Sequence, residues 1–112
     1  MKESELLSYA LICLKQSGLV SWRVPNGPVT HSVNGNTVRK KSPIKGFPDL
    51  AGVLPNGKFF AIELKTDKGR LSPEQLDWIT KLNMSGAMAV VLRSKEEIRD
   101  FITAAAQIKP KV

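Results

Sequence analysis

Gly46-Phe47-Pro48-Asp49-Leu50-Ala51-Gly52-Val53-Leu54, the turn Pro55-Asn56-Gly57, and Phe59-Phe60-Ala61-Ile62-Glu63-Leu64-Lys65 form the stretch whose reading decides the fold. Both arms are short and largely apolar, and both are bounded by Gly and Pro, as paired strands are. Side chains alternate along a strand, so Glu63 and Lys65 point one way while Phe60, Ile62 and Leu64 point the other. The register of the pair decides whether Asp49 joins them. A two-residue Asn56-Gly57 turn pairs residues whose numbers sum to 113, which sets Asp49 against Leu64 and Leu50 against Glu63. A three-residue loop of Pro55, Asn56 and Gly57 gives 112 instead, and Asp49 then opposes Glu63, Leu50 opposes Ile62 and Ala51 opposes Ala61. Only this register matches polar with polar and apolar with apolar. Gly57 would supply the left-handed residue of such a loop; a bulge near Gly52 would restore the same parity. Asp49 and Glu63 are expected on one face.

Two carboxylates side by side repel, and partial desolvation makes the conflict worse, so without a metal one of them should titrate high. A divalent cation removes the conflict. Carboxylates are hard oxygen ligands suited to Mg²⁺ or Mn²⁺, and Lys65 beside them can orient a water or stabilise developing negative charge. Glu63 and Lys65 taken alone read as a salt bridge on a strand. The ordered set around them changes that reading.

Pro48-Asp49 followed by Glu63-Leu64-Lys65 resembles the PD-(D/E)xK nuclease superfamily. Lys45-Gly46-Phe47-Pro48-Asp49-Leu50, Ala61-Ile62-Glu63-Leu64-Lys65 and Gly69-Arg70-Leu71-Ser72-Pro73-Glu74-Gln75 narrow it to a resemblance to the VRR-NUC family, specific over residues 46–93 and weaker back to Glu3. The resemblance implies a restriction-endonuclease-like α/β fold and phosphodiester hydrolysis with Mg²⁺ or Mn²⁺. It also implies a metal site of Asp49, Glu63, the backbone carbonyl of Leu64 and a glutamate near the start of the first helix. Spacing back from Gly18 and Trp22-Arg23 lands that glutamate on Glu3. Stand-alone domains of the family resemble junction resolvases, which implies branched DNA substrates and a homodimer. A nicking or flap nuclease of the same chemistry, or a non-catalytic nucleic-acid-binding module, are the competing expectations.

Outward from the strand pair, residues 3–17 read as a helix with Leu7, Ala10, Leu11 and Leu14 at helical spacing and Gly18 as its stop. Glu3 shares the face of Leu7 and Leu11, Glu5 lies on its flank, and both would also complement the helix dipole. Residues 19–24 read as a strand ended by Pro25-Asn26-Gly27-Pro28. Residues 29–41 read either as a hairpin about Asn34-Gly35 or as a loop. Ser72, Pro73 and Gln75 open a helix with a capping box, and Leu76, Ile79 and Leu82 are expected to face the core. Residues 87–92 read as an apolar strand buried on both faces, and residues 95–107 as a final helix. The order α-β-(hairpin)-β-β-α-β-α gives a mixed sheet flanked by helices, with room for one right-handed parallel crossover.

The chain has 112 residues, which fits a single domain over 1–112 with one core. Hydrophobic content of 42% and charged content of 24% exclude a disordered chain. No apolar run is long enough for a membrane span and no signal-peptide pattern opens the chain, so a cytoplasmic protein is expected. Cys13 is the only cysteine, which excludes an intrachain disulfide and a zinc cluster and suits a small packing residue. The net charge of +7 favours a polyanionic partner. Arg39, Lys40, Lys41 and Lys45 form the densest basic run, and Lys68 and Arg70 follow the acid-bearing strand; all six are candidate phosphate contacts. Gln75 is a candidate site residue as well as a cap. His31 has no metal or triad spacing. Trp22 and Trp78 suit a core or an interface better than base stacking.

Overall fold

The computed structural model describes residues 1–25, 29–40 and 44–111, and the side chains of residues 29–31, 39 and 40 are outside that description. The elements are α1 (Glu3–Ser17), β1 (Val20–Arg23), β2 (Val29–Val33), β3 (Asn36–Lys40), β4 (Leu50–Val53), β5 (Phe59–Leu64), α2 (Pro73–Met84), β6 (Met88–Leu92) and α3 (Lys95–Ala106). Four strands make a mixed sheet in the order β1-β4-β5-β6, with β5 and β6 parallel and the other pairs antiparallel. Three helices flank it. The architecture is compatible with the restriction-endonuclease-like fold.

The register of β4 on β5 is the odd-parity one, with Leu50 against Ile62 and Ala51 against Ala61. Residues 55–57 form the loop. Leu54 N–H donates to Lys58 O at 2.8 Å, Gly57 N–H donates to Leu54 O at 2.8 Å, and Gly57 takes the left-handed φ of 89°. No bulge is needed. Residues 29–40 form the hairpin rather than the loop, closed by Asn34 and Gly35 at φ values of 50° and 79°. Asn-Gly favours this turn because both positions need positive φ. Lys41 and the turn residues Asn26, Gly27 and Pro28 fall outside the described residues.

The core lies on one face of the sheet. Leu50, Leu54, Phe60, Ile62, Leu64 and Leu92 pack there against Leu6, Ala10 and Leu14 of α1 and Ile98, Ile102 and Ala105 of α3. The inward stripe of α1 is therefore Leu6-Ala10-Leu14, with Leu7 only partly buried. Leu11, expected inside, is 37% exposed. One residue rotates a helix face by about 100°, and Leu6 and Leu7 both fit an apolar spacing, so the local pattern leaves the stripe ambiguous by one position.

Two further expectations are corrected. Leu76 does not face the core: it is 55% exposed, and no residue of α2 is buried. The helix contacts the edge strand β6, where one side chain makes a two-point contact. Asn83 Nδ2 donates to Ala89 O at 3.0 Å, and Ala89 N–H donates to Asn83 Oδ1 at 2.9 Å. Nor is β6 buried on both faces: it is one of the two edge strands, with only Ala89 and Leu92 buried. Asn83 caps the polar edge that such a strand exposes. Trp22 is 47% exposed and tilts against Phe59, their ring centroids 6.4 Å apart.

Gly52, in the middle of β4, has the Val20 carbonyl oxygen and the Phe60 ring directly over its α-carbon. Gly52→Ala should cost about 1–3 kcal/mol, the usual penalty for overpacking, read as a lower denaturation midpoint with an unchanged m-value.

Candidate active site

Asp49 stands one residue before β4, and the ladder reaches it from both sides. Its carbonyl accepts from Val24 N–H at 2.9 Å, and its Oδ2 accepts from Leu64 N–H at 2.8 Å. Extending the β4–β5 register by one pair sets it opposite Glu63. Glu63 is only 2% exposed, an unusual degree of burial for a carboxylate. Glu3 arrives from the first turn of α1. One carboxylate oxygen from each of Glu3, Asp49 and Glu63 lies within 4.8 Å of the others. Glu5 is exposed and outside this group.

Glu63 carries the electrostatic strain of the cluster. Burial pushes its carboxyl up to about 8 from an ordinary 4.5, helped by the charge of Asp49 and a hydrogen bond with it; Glu3 adds to the rise and Lys65 opposes it. Its Oε2 accepts a long hydrogen bond, 3.4 Å, from Gln75 Nε2, while its Oε1 is buried with no partner among the described residues. A buried oxygen left unpaired is costly. Beside the cluster is a cavity of about 100 Å³ lined by Glu3, Ser4, Leu7, Asp49 and Leu64. An all-oxygen donor set, an orphaned carboxylate oxygen and crowded like charges fit a hard divalent cation such as Mg²⁺ or Mn²⁺.

The N-terminal end of α2 braces these acids. Ser72 Oγ accepts from Gln75 N–H at 3.1 Å, and Gln75 Oε1 accepts from Ser72 N–H at 2.9 Å, which completes the capping box. The other end of the same amide reaches Glu63, so Gln75 is both cap and site contact. The loop before Asp49 leans on the same helix. Gly46, at φ 84°, lies so close that a β-carbon there would come 2.6 Å from Glu74 Cβ and 2.9 Å from Gln75 N. Trp78 Nε1 donates to Lys45 O at 3.1 Å, and the Trp78 ring meets Phe47 edge-on at 5.0 Å. Trp78 is not part of the core and holds the loop that delivers Asp49. Its place on a half-exposed helix face gave no local signal of that partner.

Lys65 follows β5 directly, half-buried, with its N–H donating to Leu92 O at 3.1 Å. Lys68 and Arg70 are exposed on the segment beyond it, and Lys45 is exposed with its ammonium 3.7 Å from Glu74 Oε1. The side chains of Arg39 and Lys40 fall outside the described residues. Sequence reading missed Arg93. Its Nη1 donates to Thr66 O at 2.8 Å and Gly69 O at 2.7 Å, closing the turn after Lys65. No short motif marks an arginine that recognises backbone carbonyls 24 and 27 positions away.

A mixed sheet with one acid just before β4 and another in the neighbouring β5, a lysine two residues after the second acid, and a further glutamate from the first helix is the arrangement of a nuclease-type α/β domain. The VRR-NUC domain model matches residues 2–96 of the 112, and the chain belongs to the VRR-NUC domain family. The family is one of nuclease domains acting on DNA, which makes this chain a hydrolase of nucleic acids. Neither the curated proteins nor the solved structures contain a significant match to it. Among the described residues no helix is long and apolar enough to cross a membrane.

The raised Glu63 carboxyl makes a prediction for the metal-free protein. The folded state keeps this proton up to about pH 8, while the unfolded chain loses it near 4.5. Its contribution is therefore fully present below pH 4.5 and lost as pH rises towards 8. Glu63→Gln cannot ionise, so in chelator it should lose less stability than the wild type between pH 5 and pH 8.5. Denaturant midpoints at the two pH values measure the difference.

Proposed function

We propose that this chain is a Mg²⁺- or Mn²⁺-dependent endodeoxyribonuclease, a single domain over residues 1–112, that acts on branched DNA such as four-way junctions and works in the cytoplasm as a homodimer. The observation that carries the chemistry is the convergence of Glu3, Asp49 and Glu63 around a buried, unpartnered Glu63 oxygen. The junction preference rests on the family resemblance. A C₂ dimer would supply the two sites that two strands of a junction need.

In this reading Glu3, Asp49, Glu63 and the Leu64 carbonyl hold the ion. When bound, the ion supplies Lewis-acid stabilisation of the phosphate and a more acidic water. Asp49 is kept in orientation by Leu64 N–H, and Glu63 by Gln75. Lys65 orients the attacking water and meets the charge that builds on the phosphate oxygens. Its positive charge beside Glu63 also favours the ionised, ligating form of that acid. Lys45, Lys68 and Arg70, together with Arg39, Lys40 and Lys41, neutralise backbone phosphates on either side of the cut. Affinity from such contacts falls with salt, each neutralised phosphate contributing about −0.9 to the log–log slope on duplex DNA.

Cleavage of linear, flap and four-way DNA with Mg²⁺ tests this reading. Junction should be cut in preference to linear duplex, and Asp49→Asn, Glu63→Gln and Lys65→Ala should each remove nearly all cleavage while circular dichroism stays that of the wild type. Activity retained in either acid variant, or in chelator, would sink the metal mechanism. A monomer cutting linear duplex as fast as a junction would remove the branched-DNA and homodimer assignments and leave the nuclease chemistry standing.

The helix acid has its own test. Calorimetric titration with Mn²⁺ should show affinity reduced about 10- to 100-fold or more by Glu3→Gln and nearly unchanged by Glu5→Gln. Equal small effects would return both acids to a helix-dipole role.

A further inference from the structure

Arg93 lies one residue beyond β6, half-buried, and its Nη1 takes two carbonyls at once, Thr66 O at 2.8 Å and Gly69 O at 2.7 Å. These are the first and last residues of a turn that Gly69 N–H already closes on Thr66 O at 3.1 Å. One cationic group thus ties both ends of the turn that leaves the acid-bearing strand. The turn begins directly after Lys65, whose N–H donates to the carbonyl of Leu92, the residue before Arg93. Lys65 is therefore held twice by the same short segment, in its own main chain by Leu92 and in the turn that follows by Arg93.

The lysine stem is packed into this turn as well. A β-carbon on Gly69 would come 3.3 Å from Lys65 Cδ and 3.2 Å from Thr66 Oγ1, so the stem already lies against the Gly69 backbone. Arg93 has an anchor of its own, since its N–H donates to Glu97 Oε1 at 2.9 Å in the first turn of α3, next to the Ser94 cap. A lysine stem has four rotatable bonds and loses much rotamer freedom when it is fixed. A catalytic ammonium placed even about 1 Å wrong can cost on the order of 100-fold in rate. What Lys65 lies against therefore matters to the chemistry.

We infer that Arg93 is a positioning residue for the hydrolytic reaction, which by clamping the 66–69 turn sets where the Lys65 ammonium stands in the site. The role rests on the nuclease reading above. Arg93 belongs to neither the acid cluster nor its brace by α2, so it acts on the lysine half of the site and leaves the ligand half alone.

The test combines kinetics with hydrogen exchange on the full chain. Arg93→Ala should lower kcat about 10- to 100-fold, as loss of an outer supporting group does, with KM and calorimetric Mn²⁺ affinity close to wild type. Combined with Lys65→Ala it should lower kcat no further than Lys65→Ala alone, because groups that act through one another are not additive. Without metal or DNA, the Gly69 amide should exchange faster in Arg93→Ala while the Glu63 amide exchanges as in the wild type. Gly69→Ala keeps every clamp partner but crowds the lysine stem, so it should lower kcat in a protein that melts normally, which covers the case of an unstable Arg93→Ala. Additive losses with Lys65→Ala, unchanged Gly69 exchange, or full activity in both variants would overturn the positioning role while the wild type still cleaves. A wild type that cleaves no DNA with Mg²⁺ or Mn²⁺ would overturn the nuclease reading, and the role with it.

Discussion

The length of one loop governs the site. Residues 55–57 leave Leu54 and Lys58 as the closing pair, and every pairing along β4 and β5 follows from that closure. Strand side chains have a period of two, so a loop one residue shorter would send Asp49 to the opposite face. That face carries Leu6, Ala10, Ile98 and the rest of the core. A carboxylate there would be buried with no compensating charge, and the core would be lost along with the acid pair. The hydrophobic pattern and the acid pair therefore require the same register, and neither could change without the other.

The same register creates a conflict that the fold does not resolve with its own groups. Asp49 faces Glu63, Glu3 joins them, and the most buried of the three has an oxygen with no partner among the described residues. Burial beside Asp49 pushes the group towards its protonated form, and a buried carboxyl oxygen without a hydrogen-bond partner is costly. Its persistence here points to a partner that arrives with function. The rest of the structure holds the acids in place despite their repulsion. Leu64 N–H fixes Asp49, Gln75 touches Glu63, and Trp78, Phe47 and Gly46 dock the loop before Asp49 onto α2. An α2 that buries none of its residues makes sense in this light, because its contacts serve the loop and the edge strand rather than the core.

What could be read from the sequence was whatever depended on neighbours in the chain. Parity of the β4–β5 pair, the three-residue loop with left-handed Gly57 and the Ser72-Pro73-Gln75 start of α2 all rest on local spacings, whereas Glu3, which lies beside Asp49 and Glu63, was named through the family resemblance. The α1 stripe was misplaced by one position because Leu6 and Leu7 both fit an apolar spacing, and only packing against α3 and β5 separates them. Helical periodicity puts Leu76 inside because it assumes a core beneath the helix, whereas no residue of α2 is buried. Arg93 and Trp78 were beyond reach for another reason. Each donates to backbone carbonyls distant in sequence, and a carbonyl has no residue identity for a pattern to detect. Their partners are fixed by the fold, not by the local sequence.

These long-range donors divide the site into two independently supported halves. The acids are braced by α2 through Gln75 and the Trp78–Phe47 contact. The lysine is braced from the start of α3 through Glu97 and Arg93, by way of the 66–69 turn. The two supports meet in β5, where Glu63 and Lys65 are two residues apart, and in β6, which holds α2 through Ala89 and Lys65 through Leu92. In the proposed reaction, ligand geometry and the placement of the attacking water would make separate demands. The acids must withstand mutual repulsion, which calls for rigid docking against a helix. The lysine must hold one rotamer of a long flexible stem, which calls for packing along its length. A single brace would have to meet both demands, and a shift in one would carry into the other. On the inference drawn above, a change in the turn after Lys65 would alter the lysine without disturbing the carboxylate cluster.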